Sequence, residues 1–216
     1  MKFIILGDRY NKGMKSKGAI GLVKINRNKT ILGHQYKSIK SVYPRAQIIY
    51  VYGFDNKKFL QYLESEYPDI IPIYNPDYEN TNYTHTLNLA SDFISKDTFI
   101  LFGDSIFNKN IFNNFNKKLG SQIFINKKIK NKLGCILSNE AICNISFDLS
   151  LYLSDIYYIN SKDSKTLKEL IKTKKNKNSF IFEIINKMID VGVKFYPIIS
   201  NSKNTIIQLQ KNKIKI

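Results

Sequence analysis

Apolar and polar residues follow one another along the first half of the chain in blocks of strand length and helix length. Short apolar runs that end at glycine or turn-forming residues predict buried β-strands, which we place at 2–6, 47–52, 70–74 and 98–102. Apolar residues at helical spacing lie between these runs, at 29–41, after Asp55 and at 86–94. We expect Asp55 to cap the second helix.

The second half of the chain is less regular. It predicts further strands, some of them antiparallel, at 121–125, 132–137, 156–159, 193–199 and 205–209. Two helices are predicted, at 164–172 and 179–191. Strands that alternate with helices favour a Rossmann-like α/β fold, with a mostly parallel sheet as the middle of three layers. No internal repeat or linker interrupts residues 1–216, so we expect a single domain.

Polar loops follow three of the predicted strands of the first half. Gly7 ends the first strand, a loop rich in turn formers spans Asn75–Asn82, and Gly103-Asp104 ends the fourth strand. Ligands of parallel sheets bind beyond the carboxyl ends of the strands. The sequence therefore predicts a ligand site at this edge.

Composition narrows the class of protein. The hydrophobic fraction of 43% is sufficient for a large core, and no apolar run approaches the roughly 20 residues of a membrane helix. The first apolar run is too short for a signal peptide, so we expect a cytoplasmic protein without a membrane partner. Cys135 and Cys143 do not form a zinc-binding pattern with the two histidines, and we expect both to be free thiols.

The net charge of +17 raises the question of a nucleic-acid partner. The excess is almost entirely lysine, because the only arginines are Arg9, Arg27 and Arg45. Arginine is the preferred side chain for bidentate contacts with phosphates and base edges. Frequent Lys, Asn and Ile are also what an AT-rich coding sequence favours. We therefore regard nucleic acid as an unlikely partner, and small polyphosphate ligands fit the charge equally well.

Four stretches between residue 2 and about residue 210 carry a family resemblance. They are Phe3–Gly7 with Gly13–Lys17, Leu22–Gln35, Asn75–Ala90, and Phe99–Asp104. In this order they resemble the small nucleotidyltransferases that activate sugar phosphates or phosphocholine with a nucleoside triphosphate. The third stretch is the most specific, since Asn-Pro, Thr-Asn, a Leu and an Ala follow the order of the choline-phosphate cytidylyltransferase-like branch.

The resemblance implies a fold of the nucleotide-diphospho-sugar transferase type and a reaction. A phosphate of a sugar phosphate or of phosphocholine attacks the α-phosphorus of the nucleoside triphosphate, and pyrophosphate is released. Asp104 is then the carboxylate for Mg²⁺, which prefers oxygen ligands. Residues implied in nucleotide binding are Leu6, Gly7, Gly13, Lys15, Lys17, Thr81, Asn82 and Gly103.

The sequence departs from the family pattern at two places. The family's catalytic lysine is absent near Ala19–Gly21, and Lys17 and Lys24 are the candidates to replace it. The family's second metal-binding Asp ends a C-terminal strand, where this chain has Gln208 and Gln210. An amide contributes no net charge, so weak metal binding without nucleotide and slow transfer are expected.

The sequence allows two other hypotheses for the function. A glycosyltransferase of the related nucleotide-sugar fold uses an Asp-x-Asp pattern, whereas this chain has Gly103-Asp104-Ser105. A catalytically weakened nucleotide-binding protein fits the missing lysine. The sequence contains no Walker loop, dinucleotide fingerprint or nucleophilic triad pattern.

Overall fold

A nine-stranded sheet organises the chain, as a computed structural model shows for residues 1–10, 15–27, 29–126, 133–199 and 207–208. The strands are β1 (Lys2–Leu6), β2 (Lys24–Asn26), β3 (Lys29–Thr30), β4 (Gln47–Tyr52), β5 (Ile70–Tyr74), β6 (Thr98–Phe102), β7 (Ser105–Ile106), β8 (Ser121–Asn126), β9 (Leu133–Ser138), β10 (Ala141–Phe147), β11 (Leu151–Ile159), β12 (Phe195–Ile199) and β13 (Ile207–Gln208). The helices are α1 (Ile31–Val42), α2 (Asn56–Glu66), α3 (Tyr83–Leu89), α4 (Ser164–Lys172) and α5 (Ile181–Asp190).

The strand order in the large sheet is β5-β4-β1-β6-β11-β8-β12-β10-β9. The first four of these strands are parallel, and β11 joins them antiparallel to β6. Beyond β11 the sheet is mixed, because β12 is parallel to β8 while β9 and β10 form an antiparallel hairpin. The predicted Rossmann-like α/β fold is confirmed, and its four adjacent parallel strands come from the first half of the chain.

Helices cover both faces of the sheet, because alternate strand residues are apolar on both sides. On one face Ile4 and Leu6 of β1 pack with Leu87 of α3 and with residues of α4 and α5. On the other face Phe3 and Ile5 pack with residues of α1 and α2. Two separate apolar cores therefore fix the positions of the strand ends.

The predicted strands of the first half agree with the structure, while several local expectations do not. Asp55 stands at the cap position of α2 in a left-handed conformation, with φ of 55°, and its side chain makes no capping hydrogen bond. Helix α3 begins at Tyr83, earlier than expected, and ends at Leu89. The sequence analysis missed β10 altogether. The turn before it, Asn139–Glu140, has positive φ at both residues without the glycine that usually signals such a hairpin.

The C-terminal strand β13 lies next to the predicted metal-binding loop. Its residues Ile207 and Gln208 pair antiparallel with Ile106 and Ser105 of β7. Ser105 directly follows Asp104, so the main chain of β13 runs beside the segment that carries Asp104. Gln210 lies outside the described residues, as does Gly13 of the predicted glycine-rich loop.

Two further expectations concern the membrane and the cysteines. None of the helices in the described part of the chain is long and apolar enough to cross a membrane. Cys135 is buried and Cys143 is exposed, and both are free thiols, as predicted.

Candidate active site

The loops that follow the parallel strands β1, β4 and β6 begin next to one another at the same edge of the sheet. The amide of Gly7 donates to the carbonyl of Val51 at 2.9 Å, and the amide of Gly103 donates to the carbonyl of Leu6 at 2.8 Å. Each of these bonds continues a parallel ladder by one residue beyond its strand. The loops after β1 and β6 therefore leave the sheet side by side.

Two glycines allow this close approach. A Cβ placed on Gly103 would lie 2.6 Å from the Cα of Gly7. A Cβ placed on Gly7 would lie 1.9 Å from the hydroxyl of Tyr50, which fills the space beneath the loop. A side chain at either position would collide with its neighbours, so the requirement for glycine here is steric.

Asp8, which the sequence analysis overlooked, is fully buried in the loop after β1. Its Oδ2 accepts hydrogen bonds from Nδ2 of Asn75 at 2.7 Å and from Oγ1 of Thr86 at 2.8 Å. These bonds connect the loops after β1 and β5 with α3. Burial raises the pKa of the Asp8 carboxyl above its ordinary value, although the two hydrogen bonds act in the opposite direction.

Asp104 is partly buried at the end of β6, where the sequence analysis placed the metal. Its turn is shaped by Gln35 of α1, whose Nε2 donates at 2.9 Å to the carbonyls of both Phe102 and Ser105. Burial raises the pKa of Tyr83 well above its ordinary value, and the charges of Asp104 and then Asp8 add to the increase. Both carboxylates therefore act on the same region above the sheet.

A third acidic side chain, Asp155, lies on β11, which is the next strand to β6. It is buried and has a left-handed backbone, with φ of 50°, within an irregularity of the pairing between β11 and β8. Nothing in the sequence pattern indicates this conformation. Among the described residues, no three His, Cys, Asp or Glu side chains converge into a group that could hold a metal ion.

Arg9 is the basic side chain that enters this edge from the loop after β1. Its guanidinium lies 5.2 Å from the centre of the Tyr83 ring. Its Nε and Nη2 atoms are buried and have no hydrogen-bond partner within the described part of the chain. Such donors call for a partner, since an unsatisfied buried N–H costs about 1–3 kcal/mol.

The lysines predicted to bind the nucleotide or to act in catalysis are all exposed. Lys15 and Lys17 lie in a 3₁₀ turn, Lys15–Lys17, and the Nζ of Lys15 is 5.5 Å from the centre of the Tyr10 ring. Lys24 lies on β2, directly after Val23, which packs with Ile20 in a small apolar cluster. The three lysines therefore lie at the surface, whereas Asp8 is buried in the loop after β1.

The remaining predicted nucleotide-binding residues have different surroundings. The Leu6 side chain is fully buried in the core, so only its main chain faces the loop. Thr81 is buried and donates its hydroxyl to the carbonyl of Asp77 at 2.8 Å. Asn82 occupies the cap position of α3 without a capping bond, and its Nδ2 donates to the carbonyl of Asn178 at 2.5 Å. Asn82 thereby connects the loop after β5 with the segment before α5.

A surface cavity of about 410 Å³ lies at the opposite edge of the sheet, near the amino ends of β1 and β6. Ser95, Ser161, Lys165 and Lys168 are among the residues that line it. It includes none of the residues at the carboxyl edge, so it is separate from the candidate site.

Comparison with known proteins supports the assignment of the fold. No protein-family model and no curated protein sequence matches the chain. Solved structures do match. A CTP:phosphocholine cytidylyltransferase from Streptococcus pneumoniae has a TM-score of 0.78 at 17% identity, with 96% of this chain and 92% of that chain covered.

Two further solved structures are similar over nearly the whole chain. An inositol-1-phosphate CTP transferase from T. maritima has a TM-score of 0.75 at 14% identity, covering 99% of this chain and 90% of its own. A nucleoside-diphosphate-sugar pyrophosphorylase from Vibrio cholerae has a TM-score of 0.71 at 10% identity, covering 96% and 95%. The chain therefore has the fold of these nucleotidyltransferases, the nucleotide-diphospho-sugar transferase type.

We predict that Gly103→Ala lowers the free energy of unfolding by about 1–3 kcal/mol. The added Cβ meets main-chain atoms of Gly7 and Leu6, which cannot rotate away as a side chain could. Urea unfolding measures the loss, and Lys58→Ala on the exposed face of α2 is the control. An alanine variant as stable as the parent would contradict the close approach of the two loops.

We predict that Asp8→Asn changes how stability depends on pH. The folded pKa of Asp8 is raised, so its contribution to stability is fully present below the unfolded pKa of about 3.9 and is lost as the pH rises through the folded pKa. The parent should therefore lose stability relative to Asp8→Asn across this window in urea unfolding. If the two proteins show parallel pH profiles, the Asp8 carboxyl is not perturbed by folding.

Asp69→Asn provides a control of opposite sign for this experiment. Burial acts to raise the pKa of Asp69, but hydrogen bonds from Lys40 and Tyr36 leave it lowered. A carboxyl group whose pKa is lower in the folded than in the unfolded state stabilises the fold, and this stabilisation is lost as the pH falls through the folded pKa. The Asn variant at this position should therefore lose stability relative to the parent near neutral pH and approach it in acid.

Proposed function

We propose that the protein is a nucleotidyltransferase that transfers a nucleoside monophosphate from a nucleoside triphosphate to a small phosphorylated acceptor. The observation that carries the proposal is the single sheet edge at which Gly7, Gly103 and Asp104 meet. The similarity to nucleotidyltransferase structures over almost the entire chain supports it. We further propose that residues 1–216 act as one domain, because strands from both halves join the same sheet.

The loop after β1 is the proposed phosphate-binding element. It begins at Gly7, at the carboxyl end of β1, where ligands of parallel sheets bind. Arg9 brings two buried N–H donors without partners, which suit the oxygens of a phosphate. Lys15 and Lys17 are exposed beyond it and add positive charge around the triphosphate. In this proposal Arg9 takes the phosphate-binding role and the lysines supplement it.

Mg²⁺ is the cofactor that the fold family implies, and the residues at this edge fit it. Asp104 is a carboxylate at the strand end, and Mg²⁺ is ordinarily bound by one or two carboxylates together with substrate phosphates. Bound there, the cation would neutralise the charge that develops on the transferring phosphate. The absence of a three-residue metal group among the described residues agrees with a site completed by the nucleotide.

The proposed reaction is a substitution at the α-phosphorus. An oxygen of the acceptor phosphate forms the new bond, the bond to the β-phosphate oxygen breaks, and pyrophosphate leaves with that electron pair. The chain's own contribution is to hold both reactants in line and to supply positive charge. We propose Lys24 and Lys17 as the catalytic lysines. Lys24 is exposed on β2 and follows Val23, which packs with Ile20, and Ile20 in turn lies next to Gly103.

We predict that a nucleoside triphosphate with Mg²⁺ stabilises the fold, by roughly 2.7 kcal/mol at 100 times its dissociation constant. Thermal unfolding with each of the four triphosphates would identify the base. In Asp104→Asn the stabilisation should lose its dependence on Mg²⁺ while the protein remains folded. A parent protein that no triphosphate stabilises would refute the proposal.

Release of pyrophosphate distinguishes an active enzyme from the alternatives. The proposed transferase releases pyrophosphate from the stabilising triphosphate only when an acceptor such as phosphocholine or a sugar phosphate is present. Binding without release would indicate a catalytically weakened relative, and hydrolysis of a nucleotide sugar instead would indicate a glycosyltransferase.

We predict that Arg9→Gln weakens binding of the stabilising triphosphate roughly tenfold, or about 1.4 kcal/mol. The reason is the loss of the buried guanidinium donors, and isothermal calorimetry measures it. Arg45→Gln is the matched control, because it removes the same charge from an exposed turn before the amino end of β4. Equal weakening in both variants would mean that overall charge, and not Arg9, attracts the nucleotide.

A further inference from the structure

Asp104 has an acidic neighbour that the sequence pattern did not reveal. Strands β1 and β6 are parallel and paired, with Leu6 opposite Phe102. The amide of Gly103 donates to the carbonyl of Leu6, and a Cβ on Gly103 would lie 2.6 Å from the Cα of Gly7, so the two segments are still in contact one residue beyond the strand ends. Asp8 and Asp104 are the residues that directly follow these two glycines. The two aspartates therefore enter neighbouring loops side by side.

Both residues are placed on the same face of the sheet. Thr86 of α3 donates a hydrogen bond to Asp8, which places the Asp8 carboxylate on the face covered by α3. The charges of Asp104 and Asp8 both act on Tyr83, the first residue of α3, so Asp104 lies near the same helix.

Asp8 has coordinating capacity that the structure leaves unused. It is fully buried, and its Oδ2 already accepts two hydrogen bonds. Its Oδ1 is buried as well, and among the described residues it has no hydrogen-bond partner. A buried carboxylate oxygen without a partner is costly, and a cation shared with a second carboxylate removes that cost.

The C-terminal strand does not bring a second carboxylate to this place. The main chain of β13 pairs Gln208 with Ser105, directly after Asp104, and Gln208 is a neutral residue. A second carboxylate for a cation at Asp104 would therefore come from another element.

We infer that Asp8 supplies this ligand, so that a divalent cation is held jointly by Asp8 from the loop after β1 and Asp104 from the loop after β6. This inference rests on the proposed function for the role of the cation. It changes the expected ligand set, because the two carboxylates come from adjacent parallel strands and both lie at the glycine pair. Two carboxylates leave the remaining positions of the cation for water and phosphate oxygens.

Binding of Mn²⁺ alone tests the inference, with the electron paramagnetic resonance signal of free Mn²⁺ as the readout. The parent should bind one ion, and Asp8→Asn and Asp104→Asn should each weaken binding roughly tenfold or more. The double variant should bind the ion more weakly than either single variant, with losses that do not simply add, since both residues serve one site. Asp69→Asn, a carboxylate paired with Lys40 away from this edge, should bind as the parent does.

Thr86→Val separates a ligand from a structural residue. It removes one hydrogen bond to Asp8 and leaves the carboxylate in place. If Asp8 binds the ion, this variant retains Mn²⁺ binding close to that of the parent. If Asp8 only holds the loops together, Thr86→Val and Asp8→Asn lose Mn²⁺ binding alike, and the inference is overturned.

A measurement on the parent keeps the test valid if Asp8→Asn does not fold. Substoichiometric Mn²⁺ should broaden the methyl resonance of Thr86 strongly, while that of Thr98, at the other end of β6, remains sharp. Equal or absent broadening overturns the inference. Loss of Mn²⁺ binding in Asp104→Asn but not in Asp8→Asn would overturn it and leave the proposed function intact. Failure of every triphosphate to bind, with both carboxylates still binding Mn²⁺, would instead refute the proposed function alone.

Discussion

The candidate site depends on the contact between two main-chain segments, at Gly7 and Gly103. Neither residue has room for a Cβ, because the other loop and the Tyr50 hydroxyl fill the space. The two loops can therefore leave the sheet without side chains between them. Everything polar at this edge takes its position from that contact, including the alignment of Asp8 with Asp104. A side chain at either glycine would separate the carboxylates as well as destabilise the core beneath them.

The electrostatics of the site differ from those of the protein as a whole. The chain carries a net charge of +17, yet acidic groups occupy the floor of the edge, at Asp8, Asp104 and Asp155. Arg9 is the basic group that packs among them, against Tyr83. Most lysines in the described part of the chain are exposed, and their charge is screened by solvent and salt. The positive surface charge would attract an anionic nucleotide, whereas the carboxylates would attract a cation.

The hydrogen bonds around Asp8 explain how distant parts of the sequence become one site. Asn75 belongs to the loop after β5, and Thr86 belongs to α3, yet both donate to the same carboxylate oxygen. Gln35 of α1 performs a similar role for the turn that carries Asp104. These polar side chains are buried and donate to main-chain or carboxylate partners, which gives the loops fixed positions. The fold thus holds its site from both helical layers.

The sequence by itself determined the strands of the parallel sheet and the edge at which we propose that ligands bind. Apolar runs that end at Gly7 and Gly103 are local features, because a buried strand and the glycine that ends it are recognisable from consecutive residues. The strand β10 was not predicted because the turn before it lacks glycine and because its buried and exposed residues do not alternate regularly. Only the tertiary structure decided that Asp8, Arg9 and Asp155 lie at the candidate site. Their roles follow from strand register and from contacts between residues far apart in the chain, and no local pattern records a register between β1, β6 and β11.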